Sequence, residues 1–404
     1  MLYDLAVIGG GAAGLAAAVA ASRAGDRVIV LESSNRLGKK IMTSGNGRCN
    51  LMNTGFPRYY GDSDFACQVI RRCDAEAQKL FWHSIGLITA SESDNRVYPC
   101  TFQSSTVVSV LKNALRIYGT DTVLNTSVTG CVQKNKREFC LVSDSNQWFA
   151  RRVLVATGGP AGLKSSDDCS GGYNILRQFG HSIQSLSPAL VPLITDQRSI
   201  SGLSGIRIRC ALVLKNQKDT IIHREKGEIL FTDYGVSGIC AMQCARFIEG
   251  EGCYLELDLA GNIFPDDNRL TDELHIRKKA FGTMTPDILL IGMMNEKIAY
   301  AVMKQAGLKM QGETLNDLDD TVIECIIRSI RHYRIEIKGK RRMADAQVTA
   351  GGADCREFDP DNMESRIVPG LHAAGEILNT DGDCGGYNLM FAFGSGILAG
   401  MNRR

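Results

Sequence analysis

The chain has 404 residues, 44% hydrophobic and 22% charged, with a formal net charge of +2. That length suggests two or three domains. The near-neutral charge gives no reason to expect nucleic acid or an acidic membrane as a partner. No run of 18 apolar residues offers a membrane span, the N-terminus lacks the basic start of a signal peptide, and the 14 cysteines include no C-x-x-C pair; a cytoplasmic protein with reduced thiols and no metal site is expected.

Leu5-Ala6-Val7-Ile8 is an apolar run of strand length, followed at once by Gly9-Gly10-Gly11-Ala12-Ala13-Gly14. An Ala-rich helix, Leu15 to Ala24, leads to a second β-branched strand, Val28 to Leu31, which ends in Glu32. Strand, glycine turn, helix, strand and acid make a βαβ unit with the G-x-G-x-x-G dinucleotide fingerprint at Gly9, Gly11 and Gly14. Gly9 permits the tight turn, Gly11 the approach of a pyrophosphate, and Gly14 the packing of helix on strand. The helix N-terminus offers free N–H groups and a positive dipole end to the phosphates. Glu32 can accept the hydroxyls of an adenosine ribose, which favours FAD or NAD over NADP.

Residues 33–50 read as a long polar loop at the carboxyl end of a parallel strand, where ligand crevices form. Lys39, Lys40 and Arg48 can offset pyrophosphate charge, and Asn46 and Asn50 can pair with polar ring edges. Phe65 to Ile85 has the apolar period of one helix, as does Thr106 to Tyr118. Val97-Tyr98-Pro99 reads as a short strand and Thr122 to Cys131 as a strand region. Phe139 to Val142 and Trp148 to Ala150 read as a hairpin, and Arg152 to Val155 as a separate buried strand ending in Ala156-Thr157-Gly158. Small residues there let the chain pass close to a bound dinucleotide.

From about Pro188 the character shifts. Short β-runs are expected at 206–214, 220–223, 228–232 and 253–257, with a helix from Gly235 to Arg246 and a helical pattern from Thr271 to about Arg331. Gln347 to Gly352 returns to glycine. Gly370 to Glu376 is a short strand closed by Gly375-Glu376, and Gly382-Asp383-Cys384-Gly385-Gly386 precedes a final helix over about Asn388–Met401. A Gly-Gly turn opening a helix repeats the logic of the N-terminus. In an FAD protein this helix end would sit by the flavin N1/C2 carbonyl edge. Cys49, Arg48, Asp381, Asp383, Cys384 and Tyr387 are the candidates near a flavin ring, with Tyr387 a conceivable proton donor and Cys49 a conceivable redox thiol. No catalytic residue is assigned.

Taken together, Gly9-x-Gly11-x-x-Gly14, Ser44-Gly45-Asn46-Gly47-Arg48-Cys49-Asn50, Ala156-Thr157-Gly158-Gly159-Pro160, Ala350-Gly351-Gly352, Met363-Glu364-Ser365, Gly375-Glu376, Gly382 to Leu389 and Ser395-Gly396 resemble the BaiN/RdsA/aminoacetone-oxidase-like bacterial flavoproteins. One departure is Ala161 to Ser166, where a more Ser/Thr-Gly-rich loop is expected. The resemblance implies an α/β fold: a Rossmann-like, glutathione-reductase-like FAD-binding domain (1–190 plus 346–404) interrupted by a β-rich insert (191–270 plus 325–345) and a helical insert (271–324). It implies FAD contacts at Gly9, Gly11, Ala12, Ala13, Gly14, Glu32, Ser33, Lys40, Ser44, Gly45, Asn46, Gly47, Arg48, Cys49, Asn50, Val128, Thr157, Gly158, Gly375, Glu376, Asp381, Gly386, Tyr387, Asn388 and Leu389. Activities in that family include NAD(P)H-dependent reduction of steroid-type enones and oxidation of small amino ketones. A single G-x-G-x-x-G and no cysteine pair argue against a disulfide reductase. The expectation is therefore an FAD-dependent oxidoreductase that moves a hydride between a small substrate, or NAD(P)H, and flavin N5. The alternative is a flavoprotein serving a macromolecular partner, through tRNA modification or electron transfer, with Lys338 to Arg342 as its local basic run.

Overall fold

The computed structural model describes every residue except 93, 136–137, 163–166, 249, 309–313 and 403–404. It divides into two compact units, Met1–Ser187 with Gln347–Arg404, and Pro188–Ala346.

The first unit is built on β1 (Leu2–Ile8), α1 (Ala12–Arg23) and β2 (Val28–Leu31). β1 pairs in parallel with β2 on one side and with Gln147–Val155 on the other. Leu5 to Ile8 are all buried, as befits a parallel strand covered on both faces. Among the described residues the sheet has seven strands, in the order 121–123, β2, β1, 147–155, 138–142, 130–135, with Leu371–Ala373 also joined to 147–155. From Ala13 to Ala21 α1 is apolar on every face, and every residue of that run is buried. Its alanines let the helix Tyr387–Met401 come so near that a Cβ on Gly396 or Gly400 would stand 2.2 or 2.3 Å from the carbonyl oxygens of Ala13 and Ala17.

Several elements differ from the sequence reading, each for a local reason. The loop after β2 contains a short helix α2 (Lys39–Thr43) and a 3-10 turn over Ser44–Gly47. Phe65 to Ile85 is two helices, Ser63–Arg72 and Ala75–Ser84, because the Asp74 carboxylate accepts the Ala77 N–H and starts a new helix. Thr122 to Cys131 is interrupted: strand Asp121–Val123 ends, Asn125 turns left-handed, and Gly130–Asn135 begins a new strand. Trp148–Ala150 and Arg152–Val155 are one strand. Its first half pairs antiparallel with Glu138–Val142 and its second half in parallel with Leu371–Ala373. Arg152 does not end it, since Asp26 neutralises the buried guanidinium at 2.6 Å. Positions 163–166 of the departing loop lie outside the described residues.

The second unit holds, among the described residues, a closed six-stranded barrel of 193–195, 235–237, 221–231, 207–215, 254–258 and 333–340. The runs expected at 220–223 and 228–232 are one strand, Ile221–Phe231, carried across its polar middle by pairing with Arg207–Lys215. The helix expected over Gly235–Arg246 is a strand, Gly235–Ser237, then a helix, Ile239–Cys244, parted by Gly238 at φ +95°. Helices Asp267–Phe281, Glu296–Gln305 and Asp320–Arg331 form the helical part, where Pro286 opens only a 3-10 turn. Residues 309–313 of that stretch lie outside the described residues.

Candidate functional site

The glycine turn has the geometry its spacing predicts. Gly9 is at φ +108°, and a Cβ on it would lie 2.5 Å from the Ala156 carbonyl oxygen. A Cβ on Gly14 would lie 1.9 Å from the Gly9 oxygen. Gly11 differs: its Cβ would meet nothing within 4 Å. It caps α1 without a side-chain hydrogen bond and no acid stands in the first turn, so no side chain of α1 takes up this end of the helix. That is the room a pyrophosphate needs at a helix N-terminus.

Glu32 stands beside this turn. Its Oε2 accepts the Gly10 N–H at 2.6 Å and its Oε1 the Ser34 N–H at 2.7 Å. The Ser33 hydroxyl reaches the same carboxylate at 3.5 Å. A carboxylate has about four lone-pair positions, so capacity for ribose hydroxyls is left. Val128 is buried, and its carbonyl oxygen lies 3.1 Å from where a Cβ on Gly171 would stand.

Lys40 is engaged by an acid rather than left to a phosphate. Its Nζ lies 2.7 Å from Glu376 Oε2 and donates to the Gly159 carbonyl at 3.4 Å. Glu376 Oε1 accepts the Thr349 N–H at 2.9 Å, and the Thr349 hydroxyl accepts the Ala161 N–H at 3.1 Å. One ion pair therefore joins α2, the Thr157-Gly158-Gly159 turn and the Gly375-Glu376 turn. Gly375 donates its N–H to Ser395 Oγ at 3.0 Å. Thr349 carries no motif and was missed by sequence; only its neighbouring glycines gave a signal.

At the other end, Gly386 caps the helix Tyr387–Met401 at φ +108° without a side-chain hydrogen bond. A Cβ on it would lie 2.5 Å from the Met52 oxygen and 2.7 Å from Asn50 Oδ1. Asn53, also missed, donates to the Gly385 carbonyl at 2.8 Å. Asn388 accepts the Gly382 N–H and donates to the Gly382 carbonyl, both at 2.8 Å, and so braces this turn. Leu389 packs against the core. Asp381 is buried on strand Thr380–Gly382, paired with Tyr59–Gly61. Tyr387 is not an idle proton donor, because its hydroxyl donates to the Phe56 carbonyl at 3.0 Å. Asp383 accepts the Tyr60 hydroxyl at 2.7 Å.

Ser44 donates to the Ile41 carbonyl at 2.7 Å and closes α2. Gly45, Asn46, Gly47 and Cys49 all sit at positive φ, which for Asn46 and Cys49 is backbone strain of the kind found around ligands. Burial pushes the Cys49 thiol up to about 12, above the range of reactive cysteines. Burial likewise raises Cys384.

Two buried polar atoms test whether a dinucleotide fits. Thr157 Oγ1, in the turn after Val155, and Asn50 Oδ1, beside the Gly386 turn, have no hydrogen-bond partner. Leaving such a group unpaired costs about 1–3 kcal/mol. Thr157 Oγ1 lies against Gly172, where a Cβ would stand 2.1 Å away; Asn50 Oδ1 and the open space over Gly11 describe a cradle that asks for a polar ligand running from the first turn to the last helix. FAD fits that cradle.

The family model described as HI0933-like protein Rossmann domain matches residues 3–402. The chain is 32% identical to a 3-dehydro-bile acid delta(4,6)-reductase of Clostridium scindens, over 98% of each chain. It is 28% identical to a ribosomal RNA dihydrouridine synthase of Haemophilus influenzae, over 96% of this chain and 95% of that one. Among solved structures, a 3-ketosteroid-delta4-(5alpha)-dehydrogenase from Rhodococcus jostii aligns over 99% of this chain and 96% of that one, at 14% identity and TM-score 0.47. That likeness is too slight to carry substrate or mechanism.

Proposed function

The chain belongs to the HI0933-like Rossmann-domain family, and on that premise we propose that it saturates a carbon–carbon double bond conjugated to a carbonyl in a small organic molecule, with NADH or NADPH as electron donor. It is an FAD-dependent oxidoreductase. The observation that carries the finer reading is the near-full-length similarity to two relatives named for reducing a double bond. The chain has no C-x-x-C pair and burial raises the Cys49 thiol, which supports a reading in which electrons pass straight between cofactor and substrate. The names of both relatives describe one chemistry, the addition of two hydrogens across a double bond.

FAD, when bound, supplies hydride transfer at its N5. The chain's own residues hold and shape the site. Gly11, Ala12 and Ala13 take the pyrophosphate, Glu32 the ribose, and Thr157 and the Lys40–Glu376 pair the middle of the cofactor. Asn50 pairs with a polar edge of the ring, and the helix that begins at Tyr387 favours negative charge there through its dipole.

A small molecule is favoured over RNA. The net charge is +2, and in the basic run Arg341 and Arg342 lie 3.1 and 3.8 Å from the Asp345 carboxylate, which leaves less charge for phosphates. The thirteen cysteines described are free, which supports a reaction in a reducing cytoplasm. Among the described residues no helix is long and apolar enough to cross a membrane.

The test is anaerobic. The yellow protein should bleach with NADH or NADPH, and colour should return with a steroid-type 4-en-3-one or another conjugated enone. Return of colour only with ribosomal RNA fragments would overturn the small-molecule reading, and bleaching by an amino ketone alone would replace reduction with oxidation.

A further inference from the structure

Arg48 is held more carefully than a loop cation needs to be. Its guanidinium lies over the Tyr98 ring at 4.4 Å and over the Phe102 ring at 4.7 Å, and it pairs with Glu92. The side chains of Arg48 and Glu92 are 42% and 36% exposed, so water screens the pair and it does little for stability. Yet three non-glycine residues around it are held left-handed: Asn46 at φ +54°, Cys49 at +57° and Phe102 at +51°. Strain of that kind persists where surrounding structure insists on it, most often at ligand sites. The placement is also telling. Arg48 stands two residues before Asn50, whose unpartnered Oδ1 touches the Gly386 turn that opens the last helix. A cation on two aromatic rings, open to solvent on the ring-side loop, is a ready oxyanion partner.

We propose that Arg48 takes the carbonyl oxygen of the substrate, and that Glu92 is the partner it leaves to do so. The proposal rests on the reading of the protein as a reductase of conjugated double bonds. In that reaction a hydride reaches the β-carbon, and the electron pair of the double bond moves toward the carbonyl. The oxygen then carries the negative charge of an enolate. Arg48 N–H groups donate to that oxygen, and a proton from water adds at the α-carbon to give the saturated ketone. The substrate gains two electrons and two hydrogens, and the reduced cofactor becomes oxidised. A guanidinium that meets charge only as it develops lowers the barrier to hydride arrival. Tyr98 and Phe102 position it.

The experiment uses holoenzyme of the wild type, Arg48→Gln, Arg48→Lys and Glu92→Gln, reduced anaerobically. Reoxidation is followed with an accepted enone and, separately, with dioxygen, which has no carbonyl to anchor. Oxidised holoenzyme is also titrated calorimetrically with 4-nitrophenolate, a mimic of the enolate oxygen. Arg48→Gln should slow the enone reaction on the order of 100-fold, a loss well beyond any change in the dioxygen reaction, and abolish nitrophenolate binding. Arg48→Lys, which keeps the charge, should recover part of both. Glu92→Gln should tighten nitrophenolate, since its competitor is gone. Equal slowing with enone and dioxygen, or full nitrophenolate binding by Arg48→Gln, overturns the proposal and leaves Arg48 a structural staple. If no enone reoxidises the wild type, the reductase reading falls instead, and the nitrophenolate titration still decides whether Arg48 holds an oxyanion.

Discussion

Gly11 and Gly14 lie three residues apart and are glycines for opposite reasons. At Gly14 the space is already filled, since a Cβ would stand 1.9 Å from the Gly9 oxygen. At Gly11 the space is empty and the backbone, at φ −86°, suits any residue. Gly14→Ala is therefore expected to destabilise the fold itself by about 3 kcal/mol, seen as a lower melting temperature even without cofactor. Gly11→Ala should leave the melting temperature of the apo-protein within error and weaken FAD by about 2 kcal/mol, roughly 30-fold, by filling phosphate space and displacing a hydrogen bond. Equal loss of stability in both apo variants would show that the room over Gly11 is not the cofactor's.

Among the elements, the short strand Leu371–Ala373 carries the clearest pH signature. His372 at its centre is fully buried, and burial lowers it to about 4. The neutral ring suits its place, with Nδ1 donating to the Gly370 carbonyl at 3.2 Å and Nε2 accepting from Asn402 at 3.1 Å. Below pH 6.5 the unfolded chain takes up a proton that the folded chain refuses. Stability should be whole above about pH 6.5 and decline as pH falls toward 4, by on the order of 3 kcal/mol. His181, lowered by the same cause, acts in the same direction. Urea midpoints for the wild type and His372→Gln check this: the variant's pH dependence should be shallower, and parallel curves would dismiss His372 as the source. The sequence speaks most clearly where structure is local. β1, α1 and β2 follow from period and glycine spacing, because the turn and the parallel pairing that join them lie within the first thirty-two residues. The break at Asp74 was hidden because the apolar period runs on through the cap. The continuous strand Gln147–Val155 was hidden because its two halves answer to different partners, one nearby in sequence and one more than 200 residues away. Thr349 and Asn53 escaped for the same reason, as their roles come from contacts made only in the fold.

At the scale of the molecule, the cofactor-binding candidates all fall in the unit made of Met1–Ser187 and Gln347–Arg404. The strands that border the insertion, Ile183–Ala189 and Val348–Ala353, are hydrogen-bonded neighbours. A chain in which residues 188–346 are replaced by a short Gly/Ser linker is expected to fold and to purify yellow. A colourless product that takes up no FAD would show that the unit depends on its insertion.

The packing of Gly396 and Gly400 against Ala13 and Ala17 has a consequence for how the protein is made. The first helix finishes its groove with residues 383 positions further along the chain, and Val153–Val155 wait 218 positions for Leu371–Ala373. Loop closure over that distance is slow relative to local folding, so during synthesis the nascent chain carries an unfilled small-residue groove and an unpaired strand edge. The groove on α1 is filled only once the helix Tyr387–Met401 has been made, so a complete cofactor cradle awaits that helix.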